Sequence, residues 1–234
     1  VRLPERDCPT PLVAWAVVDR GLAGALMITA SHNPPEYNGV KFVPSNGAPA
    51  LPAVTDAIEA RLAEPTTDGA RPRGSIERTD LVASHAAQAR DLVDPDCDGL
   101  TVVYDAMHGS GRGVTDALLE AAGATVIRRR CGRDPSFGGA APEPTAESLA
   151  DLVAAVDAHD ADLGIANDGD ADRIAVVTPD RGFLDGNLFF AAIYDALLES
   201  RSGPAVRTVS TTFLIDRIAD AHGETTVETP VGFK

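Results

Sequence analysis

At 234 residues with 44% apolar residues, the chain is long enough for one large domain or two ordinary ones and has a globular composition. Its formal charge of −15, from 35 acidic against 20 basic residues, disfavours nucleic acid or an anionic membrane as a partner. No apolar run approaches the roughly 18–20 residues that a membrane helix needs. Val1-Arg2-Leu3-Pro4-Glu5 offers no signal-peptide core, and the missing initiator methionine is what a piece of a longer protein would show. Cys8, Cys97 and Cys131 are odd in number and widely spaced, which argues for a reducing cytoplasm rather than a disulfide framework or a zinc site. Lys41 and Lys234 are the only lysines, a bias that high-salt solvation and GC-rich coding would both produce.

In chain order, strand-like and helix-like stretches alternate, which predicts an α/β architecture. Gly24 to Thr29 reads as a buried strand entering a loop, Gly39 to Val43 as the returning strand, and Leu51 to Ala63 as an amphipathic helix. Glu64 to Ser75, rich in Pro, Gly, Thr and Arg, reads as a linker. A second unit follows, with a helix over Asp80–Leu92 and a strand over Leu100–Tyr104. A turn at Asp105–Gly111 then leads into a helix ending near Gly123, and Ala124–Arg128 reads as a strand. Ala146–Ala158 reads as a helix with Thr145 as N-cap and Ser148 where a capping box wants Glu. Ala161–Asn167 is a strand that delivers an acidic loop at its C-terminal end, where ligands bind in open α/β sheets, and Arg173–Val177 runs away from it. A third unit starts near Gly186: a helix to about Glu199, a strand over Val206–Val209, a helix over Phe213–His222 and a strand over Thr226–Glu228. Two strands and two helices are too few to close a core comfortably, so this unit reads as truncated.

Chemistry concentrates in two segments. In Asp168-Gly169-Asp170-Ala171-Asp172-Arg173 the alternation of an extended chain puts three carboxylates on one side, and Gly169 and Ala171 leave room to curl around an ion. Three hard oxygen ligands with open positions suit Mg²⁺. An EF-hand is excluded, since Arg173 stands where its glycine belongs and Pro179 where its glutamate belongs. A solvated acidic turn is the plain alternative, and Arg173 weighs against it because a cation beside three acids serves a docking anion. In Thr29-Ala30-Ser31-His32-Asn33-Pro34-Pro35 a lone serine sits on a proline-stiffened loop; out of context such a serine is usually a turn residue. Neighbouring side chains of an extended loop diverge, so His32 is a poor base for Ser31 and better suited to hold phosphate or order the loop. Neither a nucleophile elbow nor a Walker loop is present, since no lysine follows a glycine. His108-Gly109-Ser110-Gly111-Arg112-Gly113 reads as a tight strand-to-helix turn in preference to an anion site.

Thr29 to Lys41 resembles the phosphoserine loop of the α-D-phosphohexomutases, which include phosphoglucomutase and phosphomannomutase. Asp168 to Arg173 resembles their metal loop, Thr229-Pro230-Val231-Gly232-Phe233-Lys234 the start of their sugar-binding loop, and Phe137-Gly138-Gly139 and Pro142-Glu143-Pro144 are similar to further family segments. The resemblance implies consecutive α/β/α domains with mixed sheets, truncated at both ends. Residues 1–75 would be the later part of the first domain, 76–184 the second, and 185–234 the start of the third. It implies a phosphoryl group on Ser31, Mg²⁺ held by Asp168, Asp170, Asp172 and the phosphoserine, and Arg173 steadying the group in transfer. Lys41 would assist proton transfer, His32 would count among the catalytic residues by holding phosphate or ordering the loop, and Lys234 and Gly232 would contact substrate. The implied reaction interconverts hexose 1-phosphate and hexose 6-phosphate, of glucose or mannose, through a hexose 1,6-bisphosphate in the cytoplasm. A phosphoglucosamine mutase, or a metal- and phosphate-binding remnant without catalysis, are the alternatives. Absence of the N-terminal piece of the first domain, the rest of the third and all of the fourth would leave the isolated chain with little or no turnover.

Overall fold

Proline and threonine open the first helix. The structure, a computed structural model, describes residues 1–62 and 74–232. Strand β1 (Arg2–Pro4) leads to helix α1 (Thr10–Asp19), whose Pro11 sits in the first turn, where its missing N–H costs nothing. Helix α1 buries Leu12, Ala16 and Val17. Its run of apolar residues has no polar face, and that hides it from a reading based on helical periodicity. Strands β2 (Gly24–Ile28) and β3 (Val40–Pro44) form the expected antiparallel hairpin, with Met27 opposite Lys41 and the serine loop between them. Helix α2 (Pro52–Leu62) forms where expected, yet Leu51, Val54, Ile58 and Leu62 are exposed, so its amphipathic face finds no core among the described residues. Of the expected linker, residues 64–73 lie outside the described residues.

Strand β4 (Glu77–Thr79) pairs in parallel with β1, and helix α3 (Val82–Val93) follows. On α3 the His85 ring meets Trp15 of α1 edge-on, centroids 5.5 Å apart, with its Nδ1 buried and unpartnered. Burial holds this imidazole below its ordinary pKa. The unfolded chain therefore takes up the proton first as pH falls through the ordinary histidine value of 6.5, and stability is lost in that direction. Melting curves at pH 7.5 and 5.5 are expected to show a smaller acid loss for His85→Phe than for the wild type.

The central layer is a five-stranded mixed sheet in the order β6-β5-β7-β8-β9. Strands β5 (Thr101–Asp105), β6 (Thr125–Arg129) and β7 (Leu163–Asn167) are parallel, while β8 (Ile174–Thr178) and β9 (Gly182–Phe183) run antiparallel to their neighbours. Helix α4 (Thr115–Ala121) follows β5, and helix α5 (Ala150–Ala158) precedes β7. One core packs Leu149, Leu152 and Val156 on Val103, Ala166 and Val177; the other packs Leu119 on Val102, Tyr104 and Ile165. Cover on both faces explains the near-continuous apolar runs of β5 and β7. Helix α5 begins at Ala150, later than the expected Ala146, because Leu149 departs from helical geometry (φ −106, ψ 10). The capping pair forms nonetheless. The Thr145 amide donates to Ser148 Oγ (2.9 Å) and the Ser148 amide to Thr145 Oγ1 (3.2 Å), so serine serves where glutamate is usual.

The last unit has helix α6 (Gly186–Leu198), strand β10 (Ala205–Thr208), helix α7 (Leu214–His222) and strand β11 (Thr226–Thr229), the two strands parallel. Asp185 caps α6 by accepting from the amides of Asn187 (2.9 Å) and Leu188 (3.4 Å). A small core of Ala191, Tyr194, Ala205, Ile215 and Ala219 leaves Phe190, Ile193, Val206 and Val227 at the surface, as expected of so few elements. No helix among the described residues is long and apolar enough to cross a membrane.

Candidate active site and metal centre

Strand β7 ends on the acidic loop, and the loop is a turn rather than the extended segment expected. Ala171 adopts φ 54, and its amide donates to the Asp168 carbonyl (3.1 Å). Convergence of the carboxylates comes from this curl: oxygens of Asp168, Asp170 and Asp172 lie within 4.8 Å of one another. Asn167 fixes the ends of the turn. Its side-chain amide donates to the Arg173 carbonyl (2.8 Å), and its oxygen accepts from Tyr104 Oη (3.0 Å) and Thr115 Oγ1 (2.9 Å). Asp168 is fully buried; its Oδ1 accepts from the amides of Asp172 (3.1 Å) and Arg173 (3.0 Å). Burial, with the like charges of Asp170 and Asp172, pushes the Asp168 carboxyl up to about 6 against the pull of the Arg173 amide.

The serine loop arrives from the hairpin. Ser31 Oγ donates to Asp168 Oδ2 at 3.1 Å across 137 positions of sequence. Ser31 has φ 56, held by its amide donating to Thr29 Oγ1 (2.8 Å). This left-handed residue breaks the alternation on which the expected divergence of His32 rested, so His32 Nδ1 comes within 3.3 Å of Ser31 Oγ. The other ring nitrogen of His32 lies 3.9 Å from Glu143 Oε1, the carboxylate that also faces Arg173 Nη1 at 3.5 Å. Lys41, on β3, donates to Asp170 Oδ2 (2.9 Å) and Asp172 Oδ2 (3.2 Å). Burial alone would lower the Lys41 pKa, and these two carboxylates raise it.

The loops touch through glycine. A Cβ on Gly169 would meet the Ser31 carbonyl at 2.5 Å and Pro142 at 2.9 Å, and one on Gly109 would meet the Gly169 carbonyl at 2.7 Å. Gly169 is thus small because two segments press on it, not because the turn needs its freedom. The turn at Met107–Gly111 buttresses the acidic loop from behind, the Ser110 amide donating to the Gly169 carbonyl (2.9 Å). Beside Ser31 a cavity of about 1360 Å³ opens, lined also by Asp170, Phe42, Leu26, Ile28 and Arg133.

Three carboxylates and a hydroxyl are a hard-oxygen donor set that suits a divalent cation, and Asp170 Oδ1 is buried without a hydrogen-bond partner, an atom left for a cation. The residues fit a divalent ion. Gly232 (φ 108) lies beyond β11 in the last unit, with no hydrogen bond to either loop among the described residues, and Lys234 lies outside them. The sequence reading missed Thr10, Thr29, Asn167 and Gly109. The Pro142-Glu143-Pro144 segment was the visible signal for the wall that packs on Gly169 and faces Arg173.

Models of phosphoglucomutase/phosphomannomutase alpha/beta/alpha domains I, II and III match residues 1–68, 83–182 and 185–234. A protein of Methanopyrus kandleri named a probable phosphoglucosamine mutase is 36% identical over 229 residues, 95% of this chain and 50% of its own. The phosphoglucomutase/phosphomannomutase of Thermococcus kodakarensis is 34% identical over 232 residues, with 96% and 50% covered. A solved Thermus thermophilus protein, provisionally named a phosphomannomutase, superposes with TM-score 0.85 at 34% identity over 100% of this chain and 54% of its own. The chain spans about half the length of the curated relatives it matches. Three successive domain models in order, on a fold that carries the serine and aspartate loops together, place the chain in the phosphoglucomutase/phosphomannomutase family.

Proposed function

We propose that this chain carries the phosphoserine and metal loops of a phosphohexomutase that interconverts hexose 1-phosphate and hexose 6-phosphate, of glucose or mannose. The observation that carries the reading is Ser31 Oγ hydrogen-bonded to buried Asp168, at the edge of the three-carboxylate cluster. Residues 1–75 are the later part of its first domain, 76–184 its second and 185–234 the start of its third.

In this reading Ser31 Oγ carries a phosphoryl group. Its O–P bond breaks as a bond forms between phosphorus and a sugar hydroxyl oxygen, the hydroxyl proton passes to the freed Ser31 oxygen, and a hexose 1,6-bisphosphate results. Return of the other phosphoryl group to Ser31 completes the interconversion. Asp168, Asp170, Asp172 and the phosphoserine would hold Mg²⁺, which supplies positive charge to the phosphoryl oxygens. Arg173 extends from the same loop and supplies a planar cation to those oxygens. Lys41, reaching the triad from β3, assists proton transfer at the sugar hydroxyl, and His32 orders Ser31 from 3.3 Å. Gly232 and Lys234 belong to the sugar-contacting loop. Positioning of this kind is most of what phosphoryl transfer asks of a protein. A reducing cytoplasm suits its three free cysteines.

Intact-mass analysis after incubation with glucose 1,6-bisphosphate and Mg²⁺ is expected to find one phosphate on the chain and none on Ser31→Ala. A phosphate that persists in Ser31→Ala, or a wild-type chain that acquires none, overturns the assignment.

A further inference from the structure

Asp170 is held by only one of its two oxygens. Oδ2 accepts from Thr10 Oγ1 (2.8 Å), Thr29 Oγ1 (3.2 Å) and Lys41 Nζ (2.9 Å), which exhausts the directions a carboxylate oxygen offers inside a protein. Oδ1, equally enclosed, has no partner. The three donors come from three separate places: the first residue of α1, the first residue of the serine loop after β2, and β3. Thr10 is bound twice, since its amide also donates to the Asp170 carbonyl at 2.9 Å. That amide is one of the N–H groups that a helix N-terminus leaves without an intrahelical acceptor, so the contact satisfies it at no cost to the helix.

We propose that Thr10 and Thr29 are positioning residues of the metal centre: they clamp Asp170 Oδ2 so that Oδ1 is the atom presented to the cation. The inference rests on the metal reading above and adds to it two residues and a ligand atom. A carboxylate free to rotate would spread its charge between the ion and the Lys41 ammonium. With two hydroxyls and the ammonium on the same oxygen, rotation is closed and the pre-set oxygen loses little entropy on binding the metal. Partners of this sort, which orient a ligand without touching the ion, typically cost about 10–100-fold in metal affinity when removed. The clamp also reaches across the fold. Because α1 and the serine loop both contribute a hydroxyl, the first unit is registered against the acidic loop at the carboxylate itself. Ser31 then approaches the metal centre only when α1 is seated.

Mn²⁺ binding to the chain, read by loss of the free-ion EPR signal, tests the clamp without reference to turnover. Thr10→Val keeps the shape and removes the hydroxyl, and is expected to weaken Mn²⁺ binding about 10-fold, with Thr10→Ser within about threefold of wild type. Thr29→Val removes the second hydroxyl from an independent element and is expected to weaken binding in the same direction; it decides the matter if Thr10→Val fails to fold. Melting in EDTA is expected to separate Thr10→Val from wild type far less than melting in Mn²⁺ does. Equal Mn²⁺ affinity in wild type, Thr10→Val and Thr29→Val overturns the clamp while leaving the metal reading intact, and so does a Thr10→Ser as weak as Thr10→Val. A wild-type chain that binds no Mn²⁺ overturns the metal reading itself.

Discussion

Asp170→Asn is expected to weaken Mn²⁺ or Mg²⁺ binding by about two orders of magnitude or more, beyond the 10–100-fold range seen when only an orienting partner is lost. The change is nearly isosteric, and its force lies in which atom goes where. If the amide oxygen takes the place of Oδ2, it keeps Thr10, Thr29 and Lys41 satisfied but aims an NH₂ at the cation. If the amide flips, the NH₂ faces two hydroxyls and an ammonium. Neither arrangement preserves both the clamp and the ligand. Asp172→Asn is expected to cost less, because its side chain is 31% exposed against 3% for Asp170, and water can replace a ligand there. Isothermal titration of the two variants gives the ranking, and an Asp170→Asn protein that binds as the wild type does would remove this carboxylate from the metal set.

The second large effect lies behind the site. Asp105, at the end of β5, has no exposed surface, and Arg130 grips it in a fork: Nε at 2.8 and 3.0 Å from its two oxygens, Nη2 at 2.7 Å. The same carboxylate accepts from the Met107 amide (2.9 Å), where the chain enters two consecutive left-handed residues, Met107 (φ 46) and His108 (φ 60). Arg130→Met leaves that carboxylate buried and uncompensated, and is expected to destabilise the fold by about 3–5 kcal/mol in urea unfolding. The double variant Asp105→Leu/Arg130→Met is expected to be more stable than Arg130→Met alone, since it removes the stranded charge. Because the Met107–Gly111 turn braces Gly169, Arg130→Met is also expected to weaken Mn²⁺ binding. A cost below about 1 kcal/mol, the range of a surface pair, would mean that Arg130 and Asp105 are held by other contacts.

The elements whose position was clear in the sequence are those with a local physical signature. Strands β5 and β7 are apolar because both faces are covered, and β2 and β3 are a hairpin around a polar loop. The capping pair of Thr145 and Ser148 was visible as spacing, though the bend at Leu149 was not. Helix α1 escaped because an apolar run with no polar face gives no period to read. The exposed apolar residues of α2 were read as a face that seeks a core, and the sequence does not say whether a core is there.

The candidate site divides along the same line. Asp168, Asp170, Asp172 and Arg173 stand in one short segment whose residue types point to a cation and a docking anion, whereas the roles expected of Ser31 and Lys41 came from the resemblance of Thr29 to Lys41 to a phosphoserine loop. That 137 positions of chain separate Ser31 from Asp168 and yet leave their oxygens 3.1 Å apart was decided by packing: Gly169 against the Ser31 carbonyl, Gly109 against Gly169. His32 turns toward Ser31 because one left-handed residue reverses the alternation of a loop, and φ is set by the hydrogen bonds that surround a residue. Thr10 lies 160 positions from the carboxylate it holds, and a threonine at a helix start is common for capping reasons alone. Residue chemistry is local and is written in the chain; the orientation of a carboxylate depends on donors from distant segments, and only their assembly fixes it.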